Sequence, residues 1–181
     1  MSRSVILLAL FLMVGLPISA RSQCSLGAWV EDPELPKATT KVHRQPNLSS
    51  RALAEIPFAG DEDGDQAMLE VTGFSPARVD RYSTGWVRIS SAVTVDGKEL
   101  FKGDGWIPAS RVRTNVQTPT NKAALIYNSP SKKASRAGTL PTESMVEIVG
   151  FNCFGFKVKH KQKVGWLPRE HSCGNPVTTC V

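Results

Sequence analysis

The sequence predicts an all-β protein built from two small antiparallel barrels in tandem. Short runs that alternate apolar and polar residues, such as 69–72, 87–89 and 146–149, are separated by Gly, Asp, Asn or Pro. Apart from the first residues, no long stretch has the 3.6-residue period of an amphipathic helix. A set of sequence blocks also occurs twice in the same order, which indicates a duplicated unit.

Each copy of the unit consists of short blocks and ends in Gly-Trp-aliphatic-Pro. The offset between equivalent residues falls from 84 at the first block to 60 at the last, so the first copy carries insertions. Several of the blocks are rich in β-formers, as expected for strands. The matched blocks are 42–46 with 126–130, 56–57 with 140–141, 68–74 with 145–151, 87–89 with 156–158, and 105–108 with 165–168.

The first residues have the features of a secretory signal peptide. Arg3 supplies a positive charge, and the twelve residues 5–16 are apolar. That run is too short for a membrane span, which takes about 20 residues. The predicted signal peptide is 1–20, with 22 as an alternative cleavage position. No later stretch is as apolar, so we predict a periplasmic or secreted protein without a transmembrane segment in the mature chain.

The rest of the chain divides into linkers and β-units. Residues 21–40, which include two prolines, are predicted to form mostly an extended N-terminal linker. The first barrel is predicted over 41–116 and the second over 123–181, with 117–122 as the connection.

All four cysteines follow the predicted signal peptide. An even number of cysteines in an oxidising compartment favours two disulfides, which small domains use to offset a small core. Four cysteines allow three pairings, and the sequence alone does not choose among them. The predicted disulfide residues are Cys24, Cys153, Cys173 and Cys180.

The net charge of +6 belongs to the second half of the chain. Residues 21–120 contain 12 Lys and Arg against 13 Asp and Glu, whereas 121–181 contain 9 against 3. For an exported protein, a basic surface favours anionic envelope polymers, anionic lipids or acidic proteins as partners. Intracellular nucleic acid is excluded by location.

The matched blocks resemble bacterial Src-homology-3-like (SH3b) domains. The resemblance rests on the Val/Ile-x-x-x-Pro spacing, the aliphatic-Glu-aliphatic-x-Gly block and above all the terminal Gly-Trp-Ile/Leu-Pro. It covers most of the predicted mature chain, and it implies tandem modules that bind peptides, cell-wall glycopeptide or partner proteins. The second copy departs from the family where it has Phe154-Gly155-Phe156 in place of the usual Trp.

Aromatic residues near the predicted turns are candidate ligand-binding residues. Core packing is the alternative for any single Trp, but two small barrels cannot bury all of them completely. We therefore predict one aromatic-lined groove in each barrel. The candidates are Trp86, Trp106, Trp166, Tyr127 and Phe154.

Four lysines occur at every second residue of the second copy: Lys157, Lys159, Lys161 and Lys163. On one strand this period places them on one face. The face is interpreted either as an anion-binding surface or as a solubilising outer face whose lysines also protect an exposed edge. The sequence leaves both interpretations open.

Catalytic and metal sites are not predicted. A cysteine nucleophile needs a histidine base, and the candidate pair is Cys153 with His160 or His171. Disulfide formation would remove the thiol of Cys153. The histidines lack ligand spacing, and the acidic loop 61–65 lacks the distal Glu of a calcium loop. We expect no cofactor and no metal.

The sequence therefore predicts an exported, non-enzymatic binding protein. Its expected partner is cell-wall peptidoglycan or an envelope protein. Two alternatives stay open, an inhibitor or immunity-type protein that blocks a secreted enzyme, and a cysteine peptidase of the cell wall.

Overall fold

The computed structural model describes residues 24–31, 39–57, 66–80, 84–119 and 122–175. The predicted signal peptide, the acidic loop 61–65 and Cys180 lie outside these residues. Within them, no helix is long and apolar enough to cross a membrane. The fold is all-β, as predicted, with two single-turn 3-10 helices at Ala109–Arg111 and Arg169–His171.

The strands follow the short alternating runs of the sequence, because this pattern buries one face of each strand. In chain order they are β1 Leu26–Val30, β2 Thr39–His43, β3 Ala52–Pro57, β4 Ala67–Arg78, β5 Thr84–Thr94, β6 Glu99–Pro108, β7 Val112–Val116, β8 Ala124–Tyr127, β9 Arg136–Leu140, β10 Met145–Asn152, β11 Gly155–His160, β12 Lys163–Pro168 and β13 Ser172–Cys173.

The strands form one continuous antiparallel sheet. Its order is β3-β2-β6-β5-β4-β1-β7-β10-β11-β12-β8-β9, and β13 pairs with β7. Outward from the centre, one half runs β1-β4-β5-β6-β2-β3 and the other runs β7-β10-β11-β12-β8-β9. The two halves therefore use equivalent strands in the same order.

This arrangement differs from the two separate barrels that the sequence predicted. Strand β1 lies inside 21–40, the segment predicted to be mostly linker, and it pairs with both β4 and β7. Strand β7 in turn pairs with β10 of the second half. These pairings satisfy backbone groups that separate units would leave at exposed strand edges, so the halves merge into one sheet.

The core contains matched side chains from both halves. Val87, Ile89 and Ile107 are fully buried, and so are their equivalents Phe156, Val158 and Leu167. Burying apolar surface of this kind stabilises the fold by about 25 cal/mol per Å². The repeat in the sequence is thus a repeat of core positions.

Two features tie the N-terminal segment to the second half. Cys24 and Cys153 form a disulfide with a Cα–Cα distance of 5.3 Å. Within β1, the backbone of Gly27 packs so closely on Gly174 that a Cβ on Gly174 would lie 2.2 Å from the Gly27 carbonyl carbon. Cys173 is also disulfide-bonded. Disulfides are consistent with an oxidising compartment.

Candidate functional site

A row of four directly opposed residues crosses the first half of the sheet. Gly73 on β4 faces Arg88 on β5, Arg88 faces Trp106 on β6, and Trp106 faces His43 on β2. Directly opposed residues of antiparallel strands point to the same side, with Cβ atoms about 4.5–5.5 Å apart. The register therefore places a cation beside a half-buried indole.

The second half has the same row with the same order of residue types. Gly150 on β10 faces Lys157 on β11, Lys157 faces Trp166 on β12, and Trp166 faces Tyr127 on β8. A Cβ on Gly150 would lie 2.9 Å from the Lys157 Cβ. The glycine at the start of each row thus leaves space for the stem of the basic residue. We call these sets the first row and the second row.

An aromatic pair stands at the end of each row. His43 meets Trp86 edge to face, with ring centroids 5.4 Å apart, and Tyr127 meets Phe154 in the same way at 6.0 Å. The Nδ1–H of His43 donates a hydrogen bond to the Ser50 carbonyl oxygen at 3.1 Å. This hydrogen bond helps to hold the His43 ring against Trp86.

The loop that follows each pair has the same backbone hydrogen bonds in both halves. The amide of Arg44 donates to the carbonyl of Arg51 at 3.0 Å, and the amide of Asn128 donates to that of Ser135 at 3.0 Å. Both bonds are related by the offset of 84 residues seen in the sequence. The two loops therefore have equivalent backbone conformations beside the aromatic pairs.

Trp86 and Phe154 differ in exposure. Trp86 is fully buried, its ring packs edge to face with His43, and its indole N–H has no hydrogen-bond partner among the described residues. Its equivalent is Gly155, where a Cβ would lie 1.9 Å from the Leu167 carbonyl oxygen. No side chain fits there, which explains why the aromatic residue of the second half lies one position earlier, at the half-buried Phe154.

The four lysines do not share one face, contrary to the expectation from their spacing. Lys157 and Lys159 point to one side of β11, and the Lys159 Nζ is 3.7 Å from the Glu147 carboxylate. Lys161 lies in the turn with φ 55°, and Lys163 is opposite His160 on the other side of the hairpin. The chain reverses at 161–162, so the two-residue period of a strand does not extend past β11.

The two rows differ in charge. Arg88 of the first row forms an ion pair with Asp104 at 2.8 Å. The residue equivalent to Asp104 is Val164, which is 44% exposed, so no matching carboxylate lies beside Lys157 at that position. The second row therefore keeps more of its positive charge.

An ion pair lies close to the aromatic pair of the second half. The Lys132 Nζ is 2.5 Å from the Glu170 carboxylate. The hydrogen bond and the charge of Glu170 raise the pKa of Lys132, to which Tyr127 adds a smaller effect. Burial raises the pKa of Glu170, but hydrogen bonding and the Lys132 charge outweigh it, so the net shift is downward. This pair connects the 128–135 loop to the second 3-10 helix.

The catalytic and metal alternatives find little support in the described residues. Cys153 is held in the disulfide with Cys24, so it offers no thiolate to His160 or His171. Among the described residues, no three His, Cys, Asp or Glu side chains come together as metal ligands.

Sequence reasoning missed His43 and Arg88 as members of the site. The offset of 84 residues aligns His43 with Tyr127, which had been singled out, and the offset of 69 aligns Arg88 with Lys157. The repeat therefore contained the signal that would have found both residues.

Comparisons with known proteins do not identify the family. No protein-family profile matches the chain, and no curated protein matches it. Among solved structures, it is similar to NlpC2 from Trichomonas vaginalis, with 17% sequence identity and a TM-score of 0.32, over 83% of this chain and 48% of that one. NlpC1 from Trichomonas vaginalis gives 17% identity and a TM-score of 0.32, over 90% of this chain and 50% of that one. The chain spans about half the length of the solved structures it matches.

Proposed function

We propose that this chain is an exported, non-enzymatic binding protein with two SH3-like modules, whose ligand is the peptide part of cell-wall peptidoglycan or an extended segment of an envelope protein. Export rests on the signal peptide predicted from the sequence and is supported by the Cys24–Cys153 disulfide. The SH3-like assignment rests on the sequence blocks, and the equivalent strand order of the two halves supports the duplication.

The observation that carries the binding function is the duplicated row with its aromatic pair. A half-buried Trp offers an apolar surface and an N–H donor at little entropic cost, and binding sites are enriched in Trp, Tyr and Arg. The neighbouring cation attracts carboxylates, which cell-wall peptides and acidic protein segments both carry. The second row is the stronger candidate because Lys157 lacks the carboxylate that pairs with Arg88.

Replacing Trp166 with Ala is expected to weaken binding to insoluble peptidoglycan about 30-fold, because central Trp anchors typically contribute about 2 kcal/mol or more. Trp106→Ala is expected to have a smaller effect. Binding is measured by co-sedimentation over a range of protein concentrations and salt. Met145→Ala, an exposed apolar residue on β10, serves as the control and should bind normally.

Circular dichroism and thermal unfolding of each variant separate lost binding from lost folding. A folded Trp166→Ala variant that sediments like the wild type would remove the second row from the site. If the wild-type chain itself does not sediment, the same variants are tested against partners captured from the native envelope.

The proposal that the chain is not a cysteine peptidase has its own test. Cys24, Cys153 and Cys173 are expected to resist iodoacetamide in the native chain, because all three are disulfide-bonded. Mass spectrometry of peptides after alkylation without reduction measures this. Alkylation of Cys153 in the folded protein would restore the peptidase alternative.

A further inference from the structure

The tip of the β11–β12 hairpin forms a second candidate site, separate from the rows. A cleft of about 460 Å³ lies there, lined by Pro141, His160, Lys161, Gln162 and Lys163. His160, the last residue of β11, is directly opposed to Lys163, the first residue of β12. Lys163 lies three residues before Trp166 on β12. Because successive side chains of a strand alternate, Lys163 points to the side of the hairpin opposite Trp166. The cleft and the second row therefore face different ways.

The lining of the cleft is rich in hydrogen-bond donors and cations. N–H groups come from four of the lining side chains: His160, Lys161, Gln162 and Lys163. None of the described lining residues carries a carboxylate. The Lys163 Nζ donates one hydrogen bond to the Thr139 carbonyl oxygen at 2.9 Å, which fixes its position and leaves two N–H groups.

The acidic groups of this half do not neutralise the cleft. Glu147 pairs with Lys159, and Glu170 pairs with Lys132. Glu143 belongs to the turn that follows Pro141 but is not among the lining residues. Lys161 and Lys163 thus line the cleft without a carboxylate partner among the described residues.

The backbone of Lys161 determines which variant can test the cleft. Its φ of 55° lies in the left-handed region, which glycine adopts freely and a residue with a Cβ adopts at a cost. A two-residue hairpin turn requires a positive φ at this position, so the torsion belongs to the turn and glycine can replace Lys161 without disturbing the hairpin.

We propose that this cleft binds the phosphate group of an organic phosphate. Lysine ammonium groups are common phosphate ligands, and donors that converge from several residues suit a tetrahedral oxyanion better than a planar carboxylate. The volume falls in the range of small-molecule sites, so there is room for a sugar-sized unit beside the phosphate. The phosphate belongs either to a free sugar phosphate or to a phosphodiester polymer.

The test is an NMR titration of the oxidised full chain with glucose 6-phosphate, with glucose as the uncharged control. Chemical-shift changes are expected at His160, Lys161, Gln162 and Lys163, with none on addition of glucose. Lys161→Gly is the decisive variant, because glycine suits the left-handed turn and keeps the hairpin folded while the ammonium is lost. It should weaken binding about tenfold or more, the usual scale of a charge-assisted hydrogen bond.

Lys133→Gln is the matched control, since Lys133 lies in the loop at the opposite end of β9 and its removal lowers the net charge equally. It should bind glucose 6-phosphate within about twofold of the wild type, as expected for a surface charge away from the ligand. Equal weakening by Lys133→Gln and Lys161→Gly would overturn the site, because binding would then follow net charge alone. Equal affinity for glucuronate would overturn the assignment to phosphate.

Polyglycerol phosphate distinguishes the two sources. Tighter binding of the polymer, lost in Lys161→Gly, assigns the cleft to a phosphodiester polymer, whereas equal binding per phosphate assigns it to the free sugar phosphate. Absence of shifts with both ligands overturns the proposal. Trp166→Ala should leave these titrations unchanged, so failure of the cleft and failure of the row are separately visible.

Discussion

Replacing Cys24 and Cys153 together with serine is expected to lower the free energy of unfolding by about 4–5 kcal/mol. The two residues are 129 positions apart, so the bond closes most of the described chain into one loop and restricts the unfolded ensemble strongly. The N-terminal segment that the bond anchors is also the one that places β1 between β4 and β7. Urea unfolding followed by circular dichroism measures the loss.

Amide hydrogen exchange locates the effect. Ala28 on β1 pairs with Leu69 on β4, and its amide should lose protection first in the double variant. The two serines are acceptable replacements because Cys24 is half-buried and Cys153 is exposed. An unchanged urea midpoint, with β1 still protected, would show that strand pairing alone holds the segment.

The strands were predictable because the information is local. Runs such as 146–149 alternate between buried and exposed side chains within a few residues, and the turns between runs carry their own residue types. The repeat was predictable for a related reason, since equivalent core positions such as Val87 and Phe156 need similar side chains. All-β architecture and the equivalence of the halves follow from these two signals.

The central pairing was not predictable in the same way. Residues 26–30 are a short run beside prolines, and their partners Leu69 and Val112 are distant in sequence. Nothing in a short segment specifies which distant edge it will join, because register and partner depend on edges that exist only after the rest has folded. The merger of the two units into one sheet is therefore a property of the tertiary structure.

The candidate site also combines features that the local sequence predicts with features that depend on the tertiary structure. The tryptophans of Gly-Trp-aliphatic-Pro are half-exposed beside basic residues, as a groove residue should be. Trp86 is instead fully buried, and it packs edge to face with His43 from a different strand. The lysine spacing predicted one face, but the position of the turn at Lys161 divides the set. Composition indicated candidate residues, whereas strand register decided which of them lie side by side.

Replacing Gly105 with Ala is expected to cost about 2–3 kcal/mol of stability, the usual scale of overpacking a core. A Cβ on Gly105 would lie 2.2 Å from the Val42 Cγ1 and 3.0 Å from the Phe101 Cζ. Val42 is fully buried and β-branched, so it has little freedom to move away. Urea or thermal unfolding of the variant measures the cost.

The double variant Gly105→Ala with Val42→Ala tests the cause. Val42→Ala removes the methyl group that the new Cβ would meet, so the two substitutions should be less damaging together than the sum of their separate effects, by about 1 kcal/mol or more. Additive effects would show that Gly105 is required for its backbone and not for the space it leaves.

The second half provides an internal comparison, because Gly165 contacts Ile126 as Gly105 contacts Val42. There a Cβ would lie 2.9 Å from the Ile126 Cδ1 and 3.0 Å from the Cβ atoms of Ile126 and Ala137, which is less severe than the 2.2 Å contact at Gly105. We therefore expect Gly165→Ala to cost about 1 kcal/mol, at the lower end of overpacking effects.

If both substitutions destabilise the protein, the reason that glycine recurs before each Trp is the close contact of β6 with β2 and of β12 with β8. This close passage is also what brings Trp106 beside His43 and Trp166 beside Tyr127. The glycine of the repeated signature would then be the residue that allows the rows to form.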